Sequence, residues 1–498
     1  MKSPGSGQTN RGEGIYNVVV IGAGTAGLVT AAGTAGLGGR VALVERGRMG
    51  GDCLNYGCVP SKALIQSSRI AARIRHAHRY GLEPRDPEVD YPRVVRRMKE
   101  ARARIEPHDS AARFESLGVD VFAGEARLES PHAVRVGDRV LKTRNIVLAT
   151  GGRAAIPSIP GLAEARFFTN ETFFENEVLP PRLAVLGAGP IGCELSQVMA
   201  RFGSRVTLIE QGDQVLRRED RDAAELLQSA LQEEGVALRL KVRLVRVENQ
   251  PDGSSRLALA WEDGEETVEA DAILVAAGRR PNVEGLGLEE AGVAFDPRGI
   301  RVDAWLRTTR PNIFAAGDVA GSHQFTHFAE YQARIVVRNI LLPRLLGLLH
   351  ARADTFVLPW CTFTEPEIAR VGLNEKEARE KGVPHEVHRF DFKSLDRAIL
   401  DAADTGMVKV LSVPGRDRIL GATLVGEGSG EMIHEIAVAM RHRIGLAGIS
   451  GTIHVYPTLS QAVQRVADAY QKTRLTAGAR KAFSWLYDRQ RRPSGEVR

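Results

Sequence analysis

The sequence predicts an α/β fold containing two Rossmann-like domains, and three observations predict it. A glycine turn of one form occurs twice, each time between a short apolar run and a helical segment. Each turn is followed, at the same offset, by an acid that closes the next apolar run. Further apolar runs elsewhere in the chain also end on glycine, as buried parallel strands do where they meet a loop.

The first element is Tyr16-Asn-Val-Val-Val-Ile21, short and rich in β-branched residues, which predicts a buried strand. Gly22-Ala-Gly24-Thr-Ala-Gly27 follows, then an Ala-rich helical segment, then Val41-Ala-Leu-Val44 ending on Glu45. Gly22 permits a tight turn, Gly24 lets backbone approach a pyrophosphate, and Gly27 lets helix and strand pack closely. The helix N-terminus then faces the anion, and Glu45 can accept ribose hydroxyls. The pattern returns as Leu183 to Leu186, Gly187-Ala-Gly189-Pro-Ile-Gly192, and Val206 to Ile209 ending on Glu210. The offsets agree: 45 − 22 = 23 and 210 − 187 = 23. Two dinucleotide sites in one chain predict two dinucleotides exchanging electrons, such as FAD and a nicotinamide. Glu210 favours NADH, because a carboxylate would repel a 2′-phosphate, although Arg217 and Arg218 follow closely.

Asn145 to Gly152, Asp271 to Asn282 and Asn312 to Asp318 read as further strands closing on glycine. Ligands in such sheets sit beyond the carboxyl ends of the strands, so Asp318 is a candidate partner for a cofactor hydroxyl. A plain turn aspartate is the alternative.

The chain has 498 residues, 43% hydrophobic and 26% charged, which predicts a globular protein of about three domains. Its net charge of +6 is spread among mixed signs, which argues against a nucleic-acid partner. Residues 1 to 14 lack an apolar core and predict a disordered tail with no secretory signal. The best membrane candidate, Ile340 to Leu349, is interrupted by Pro343 and Arg344. These features predict a soluble, cytoplasmic protein.

Cys53 and Cys58 are two of only four cysteines. Cys-x4-Cys could be half of a zinc site, but Cys193 and Cys361 form no second pair, so no metal is expected. A structural staple is uncommon in a cytosolic chain of this size. In a regular helix, residues five apart are separated by about 7.5 Å along the axis, beyond disulfide reach. If the two cysteines pair, the helix between them must be distorted, which Asn55 and Gly57 tolerate. A close pair at a helix start beside a cofactor site favours a thiolate and a reducible disulfide.

The Gly50-to-Lys62 block, both glycine turns, Gly278-Arg-Arg-Pro-Asn282, Gly317-Asp318 and Phe363-Thr-Glu-Pro-Glu367 together resemble the class I pyridine nucleotide-disulfide oxidoreductases, the family of dihydrolipoamide dehydrogenase, glutathione reductase and mercuric reductase. The likeness runs from about Ile15 to Tyr470. It implies an FAD-binding domain over 15–160 and 283–353, an NAD(P)-binding domain over 161–282, and a C-terminal α+β dimerisation domain over 354–470, followed by a basic tail over 471–498. The first turn would hold FAD, with Gly51, Thr150, Gly151 and Asp318 also near it, and the second would hold NAD(P)H, with Gly278. Cys58 would be the thiol facing the flavin and Cys53 the thiol meeting substrate. Lys62 would approach the flavin and pair with Glu194. The protein would be a homodimer acting on a small molecule.

The chain departs from the family's disulfide-reducing members in one place. Those members carry a His-Pro-Thr segment, whose imidazole serves the interchange thiol across the dimer, and a Glu four residues after the His. This chain reads Ile453-His-Val-Tyr-Pro-Thr-Leu-Ser-Gln461, with Tyr456 at the His position and Gln461 at the Glu position. A phenol is a poor base at neutral pH. His454 would lie on the same side of an extended stretch, about 6.5 Å away, and is the candidate substitute. Mercuric reductases share the Tyr, and thiol-bound Hg(II) needs no imidazole. Their N-terminal Cys-x-x-Cys and terminal cysteine pair are absent here. The expected function is therefore a mercuric-reductase-like flavoprotein acting on thiol-bound Hg(II) or a related electrophile. Lipoamide or another disulfide is the alternative acceptor, and a nucleotide sensor that has lost turnover is the rival of a different class. Lys472, Arg474, Arg480, Lys481, Arg489, Arg491 and Arg492 surround Phe483, Trp485, Leu486 and Tyr487. That tail predicts either a terminal helix packed on the preceding domain or a basic amphipathic helix meeting a membrane.

Overall fold

The structure is a computed structural model that describes residues 14–262, 264–321, 323–342 and 349–491. The expected N-terminal tail lies outside them except for Gly14, as do Pro343, Arg344 and Arg492. Among the described residues no helix is long and apolar enough to cross a membrane. The chain forms two compact units, residues 1–215 with 231–356, and residues 216–230 with 357–498.

The first unit holds two parallel sheets. In the first the strands run in the order Val119–Ala123, Val41–Glu45, Tyr16–Ile21, Arg139–Leu148, Ile313–Ala315. Val18 and Val20 pack on one face with Ala31 of the helix Thr25–Gly36 and Val336 of the helix Thr326–Leu341. Val19 and Ile21 point the other way, against Leu128, Val134 and Leu141 of an antiparallel extension. Burial on both faces explains why the strand reads as an unbroken apolar run. The second sheet repeats the plan, in the order Ala237–Arg239, Arg205–Ile209, Arg182–Leu186, Ala272–Val275, Phe167–Phe168. It too is accompanied by an antiparallel meander, Arg243–Asn249, Ser255–Ala260 and Glu265–Ala270.

The second unit is α+β. Its five antiparallel strands run in the order Pro359–Thr362, Ile368–Gly372, Ile419–Val425, Met407–Ser412, Glu386–Asp391. Val408, Val410 and Leu424 of the sheet pack with Ile433 and Ile436 of the helix Ser429–Arg441 and with Val463 and Val466 of the helix Gln461–Thr473. Residues 216–230, which the sequence reading includes in 161–282, belong to this unit. Charge holds them there. The Lys409 ammonium, 2% exposed, lies 2.8 Å from Asp220, 2.7 Å from Asp222 and 2.9 Å from Glu375. Arg370 is equally buried and pairs with Glu377 at 2.6 Å and Glu219 at 3.5 Å. Trp360 donates its indole N–H to Glu219 and lies under the Arg370 guanidinium.

Candidate active site

The glycine turns separate into positions explained by packing and positions that packing leaves unexplained. Gly22 has φ +102°, and a Cβ there would lie 2.3 Å from the Ala149 carbonyl oxygen. A Cβ on Gly27 would lie 1.8 Å from the Gly22 oxygen. Gly187, at φ +100°, and Gly192 repeat this, with contacts of 2.5 Å and 1.9 Å. The middle glycines differ. A Cβ on Gly189 would meet nothing within 4 Å, and one on Gly24 only the Gly51 Cα at 3.8 Å. The protein itself leaves room at both, so what requires glycine there is close approach by something from outside. Gly24 and Gly189 cap the helices Thr25–Gly36 and Pro190–Phe202 without a side-chain hydrogen bond, which leaves the first-turn N–H groups aimed at that space. The carboxylates beside them are fixed alike. Glu45 accepts from the Ala23 and Gly47 amides at 2.6 and 2.8 Å, and Glu210 from the Ala188 and Gly212 amides, both at 2.8 Å. Each carboxylate keeps lone pairs for hydroxyl donors.

Cys53 sits in the helix Gly51–Tyr56, and Cys58 opens the helix Cys58–Arg75. The break expected between them occurs at Gly57, whose φ −134° and ψ −113° belong to neither helix. Gly51, at φ +59°, brings this segment against the first turn, since a Cβ on it would lie 2.5 Å from the Gly24 Cα. The two cysteines are present as thiols. A hydrogen bond from Cys53 lowers Cys58 to about 6; the Thr326 hydroxyl and the Lys62 ammonium act in the same direction, against the opposing effect of burial. Cys53 is pushed strongly upward by the same bond, by burial and by the Cys58 charge. Thr326 Oγ1 lies 3.5 Å from Cys58 Sγ. Lys62 Nζ is 2.8 Å from Glu194 Oε2, whose side chain is 5% exposed. Cys58 is therefore the thiolate of the pair, placed at a helix N-terminus that favours it, and Cys53 the protonated partner.

A second cluster surrounds Asp318. Arg279 lies 3.4 Å from its carboxylate and 3.0 Å from Asp52, which also accepts from Asn170 at 2.9 Å. Burial raises the Asp318 carboxyl, with Arg279 opposing and Asp52 adding to the rise. The Thr150 hydroxyl donates to the Asn282 carbonyl at 2.7 Å, and Asn282 returns a bond to the Thr150 carbonyl at 2.9 Å. Gly151 and Gly278 adopt φ +67° and +127° with open space at the Cβ position.

Tyr456 and His454 belong to the other unit. Tyr456 is 66% exposed; its hydroxyl donates to Asp396 at 3.1 Å, and this bond, with the Asp396 charge, raises the phenol above its usual range. The His454 side chain is 6% exposed. Its Nδ1 lies 3.0 Å from the Thr452 carbonyl and its Nε2 3.0 Å from Glu435 Oε1. Both ring nitrogens therefore lie within hydrogen-bond distance of an oxygen of this chain. The two side chains thus have different partners. Gln461 is buried at the start of its helix and accepts from the Thr458 amide at 3.4 Å.

Comparison with known proteins identifies the family. The family model of pyridine nucleotide-disulphide oxidoreductase matches residues 16–333, and that of the family's dimerisation domain matches 358–467. The chain belongs to this family. The oxidoreductase is 34% identical over 452 residues to the dihydrolipoyl dehydrogenase of Chlamydia muridarum, covering 90% of this chain and 95% of that protein. It is 31% identical over 461 residues to the mercuric reductase of Staphylococcus aureus, covering 92% and 83%. The HOCl-induced flavoprotein disulfide reductase RclA from Escherichia coli, also solved as a Cu(II) complex, superposes with a TM-score of 0.80 at 29% identity, covering 91% of this chain and 99% of that one.

The family uses FAD and NAD(P)H, and the oxidoreductase has a cradle of the right form for each in the open space at Gly24 and Gly189. Its dimerisation domain supports a homodimer. Three residues of these sites escaped the sequence reading. Thr326 is 268 positions from Cys58 and stands in no motif, while Glu435 and Asp396 are 19 and 60 positions from the side chains they hold. No local spacing could have found them.

Proposed function

We propose that this oxidoreductase uses NAD(P)H to reduce a soft metal ion delivered as a thiolate complex, Hg(II) in the first instance, at the Cys53–Cys58 pair. The observation that carries the reading is the environment of residues 454–456. The phenol at 456 is raised in pKa by Asp396, and both His454 nitrogens face acceptors. No free imidazole base stands in this segment. Exchange with a disulfide expels a sulfur that needs a proton, which a general acid–base supplies. A soft ion moves between thiolates by ligand exchange and needs none.

By the family resemblance, Gly22, Gly24, Gly27, Glu45, Gly51, Thr150, Gly151 and Asp318 hold FAD, and Gly187, Gly189, Gly192, Glu210 and Gly278 hold the nicotinamide nucleotide. Glu210 favours NADH. Bound FAD supplies the two-electron relay between nucleotide and cysteines. The chain's own groups do the rest. Cys58 is kept as thiolate by Cys53, Thr326 and Lys62, Lys62 is oriented by Glu194, and Cys53 takes the incoming metal as its proton passes to the thiolate ligand that the metal gives up. A second reading, disulfide reduction, is supported by the 34% identity to dihydrolipoyl dehydrogenase. The two are separated by anaerobic NADH oxidation with thiol-ligated Hg(II) and with lipoamide. The proposal expects turnover with Hg(II), and lipoamide slower by roughly a hundredfold or more, the usual worth of a missing general acid–base. Efficient lipoamide turnover reverses the assignment, and a yellow protein that NADH does not bleach marks a sensor without turnover.

A further inference from the structure

The helix Ala477–Gln490 begins ten residues beyond 467, where the dimerisation-domain match ends. Thr476 caps it by accepting from the Ala479 amide at 3.2 Å. None of its residues is buried. Phe483, Trp485, Leu486 and Tyr487 are 52%, 58%, 46% and 61% exposed, an unusual density of exposed large side chains within five positions. The expected packing of this tail on the preceding domain does not occur.

At 100° per residue the side chains sort into two arcs. Trp485, Ala482, Leu486, Ala479, Phe483 and Tyr487 lie in that order around one side, with Gly478 and Arg489 between Trp485 and Ala482 and Gln490 between Ala479 and Phe483. Lys481 borders this arc next to Trp485, and Arg480 and Arg491 border it next to Tyr487. Asp488 is the single acid of the segment 477–491, opposite the apolar arc and paired with Arg491. Arg489 falls inside the apolar arc, with its guanidinium over the Trp485 ring at 5.5 Å from the centroid.

We propose that this helix docks the enzyme on an anionic membrane surface, lying flat in the headgroup region. A helix of 14 residues is about 21 Å long, too short to span a bilayer but sufficient to lie in its interface. Trp485 and Tyr487, at the edges of the arc, are the residue types that settle between hydrocarbon and water. The cations beyond each edge reach lipid phosphates. Arg489 decides between lipid and protein as the covering surface. A protein partner, including a second copy of this chain, would bury its charge within an apolar contact and need a matching acid. At a bilayer its stem lies along Trp485 and its head rises to the phosphates.

The test uses full-length holoenzyme in co-sedimentation with phosphatidylglycerol-containing vesicles and with pure phosphatidylcholine vesicles. Trp485 emission is read as the difference between wild type and Trp485→Phe. The expected result is binding to the anionic vesicles only, weakened by salt, with Trp485 emission shifting to the blue on binding. Lys481→Gln with Arg489→Gln should weaken binding roughly thirtyfold. Phe483→Ser with Leu486→Ser should abolish it, while NADH oxidation in solution is unchanged. Absence of binding, equal binding to neutral vesicles, or variants that bind like wild type would overturn the proposal. So would Trp485 emission already blue and shielded from quencher in the lipid-free dimer, which would show a second copy covering the helix.

Discussion

At the scale of single residues, the reactivity of the site rests on which sulfur is charged. Cys58 lies well below an ordinary thiol because Cys53 and Thr326 donate to it and Lys62 attracts it. Its alkylation in the reduced enzyme should stay fast above a pH of about 6 and fall as pH drops below that, because protonation removes the nucleophile. Thr326→Val removes one donor to the thiolate but not to the thiol, so the midpoint should move up toward the usual thiol range. A pH series of iodoacetamide labelling checks both, and an unmoved midpoint would show that Thr326 makes no contact of consequence. Cys53, Cys58 and Lys62 were legible from the sequence because they share one short block. Thr326 was not, because a hydroxyl delivered by a distant helix leaves no local pattern. The roles of Tyr456 and His454 were legible only as a departure from the family, and the acceptors they face came from other helices.

At the scale of elements, the glycine turns make a paired prediction. Gly27→Ala places a Cβ 1.8 Å from the Gly22 carbonyl and must force strand and helix apart. The protein should lose about 2–4 kcal/mol of stability and retain little FAD. Gly24→Ala meets no protein atom closer than 3.8 Å. Its apoprotein should melt within a few degrees of wild type, yet FAD retention should fall, because the added methyl occupies the space of the approaching ligand. Thermal melts beside flavin absorbance separate the two, and equal destabilisation by both would remove the distinction between packing and approach. The sequence revealed these turns because their strands are buried on both faces and their glycines are obligatory. It did not reveal the antiparallel meanders. Arg243–Asn249 is largely exposed, and an irregularity between Leu244 and Arg246 breaks its alternation: Leu244 and Val247 lie opposite the buried Leu259 and Leu257, Arg243, Arg246 and Glu248 share the other face, and no two-residue period shows in the sequence.

At the scale of the whole molecule, two features follow from the second unit. Ile453, Val455, Leu400 and Ile399 are 95%, 74%, 68% and 54% exposed in the single chain. Apolar surface of this kind in a dimerisation domain is expected to be covered by the partner subunit. Ile453→Asp should shift sedimentation from dimer toward monomer, and an unchanged dimer would place the interface elsewhere. Lys409 is the other feature. Replacing it with Met removes the buried cation that three carboxylates share; Asp222 keeps Arg389 and Glu375 keeps Arg379, but Asp220, 5% exposed, loses the ammonium 2.8 Å away, at a cost of about 3–5 kcal/mol. Part of that loss should be recovered at lower pH, because burial pushes the Asp220 carboxyl up while Lys409 and the Lys376 and Glu375 amides hold it down, and without Lys409 it would take a proton more readily. Thermal unfolding of the variant across acidic pH measures this.

The placement of residues 216–230 has a bearing on how such a protein can be cut or recombined. The chain passes between its compact units at 215/216, 230/231 and 356/357 rather than once. Severing the backbone at 356/357 would not release two modules. It would strip Glu219, Asp220 and Asp222 of Arg370 and Lys409, and leave those cations facing empty positions in the other fragment. A chimera that exchanges the C-terminal sheet for a relative's must carry this internal segment with it. The segment and the sheet are therefore constrained to change together, although more than a hundred residues of sequence separate them.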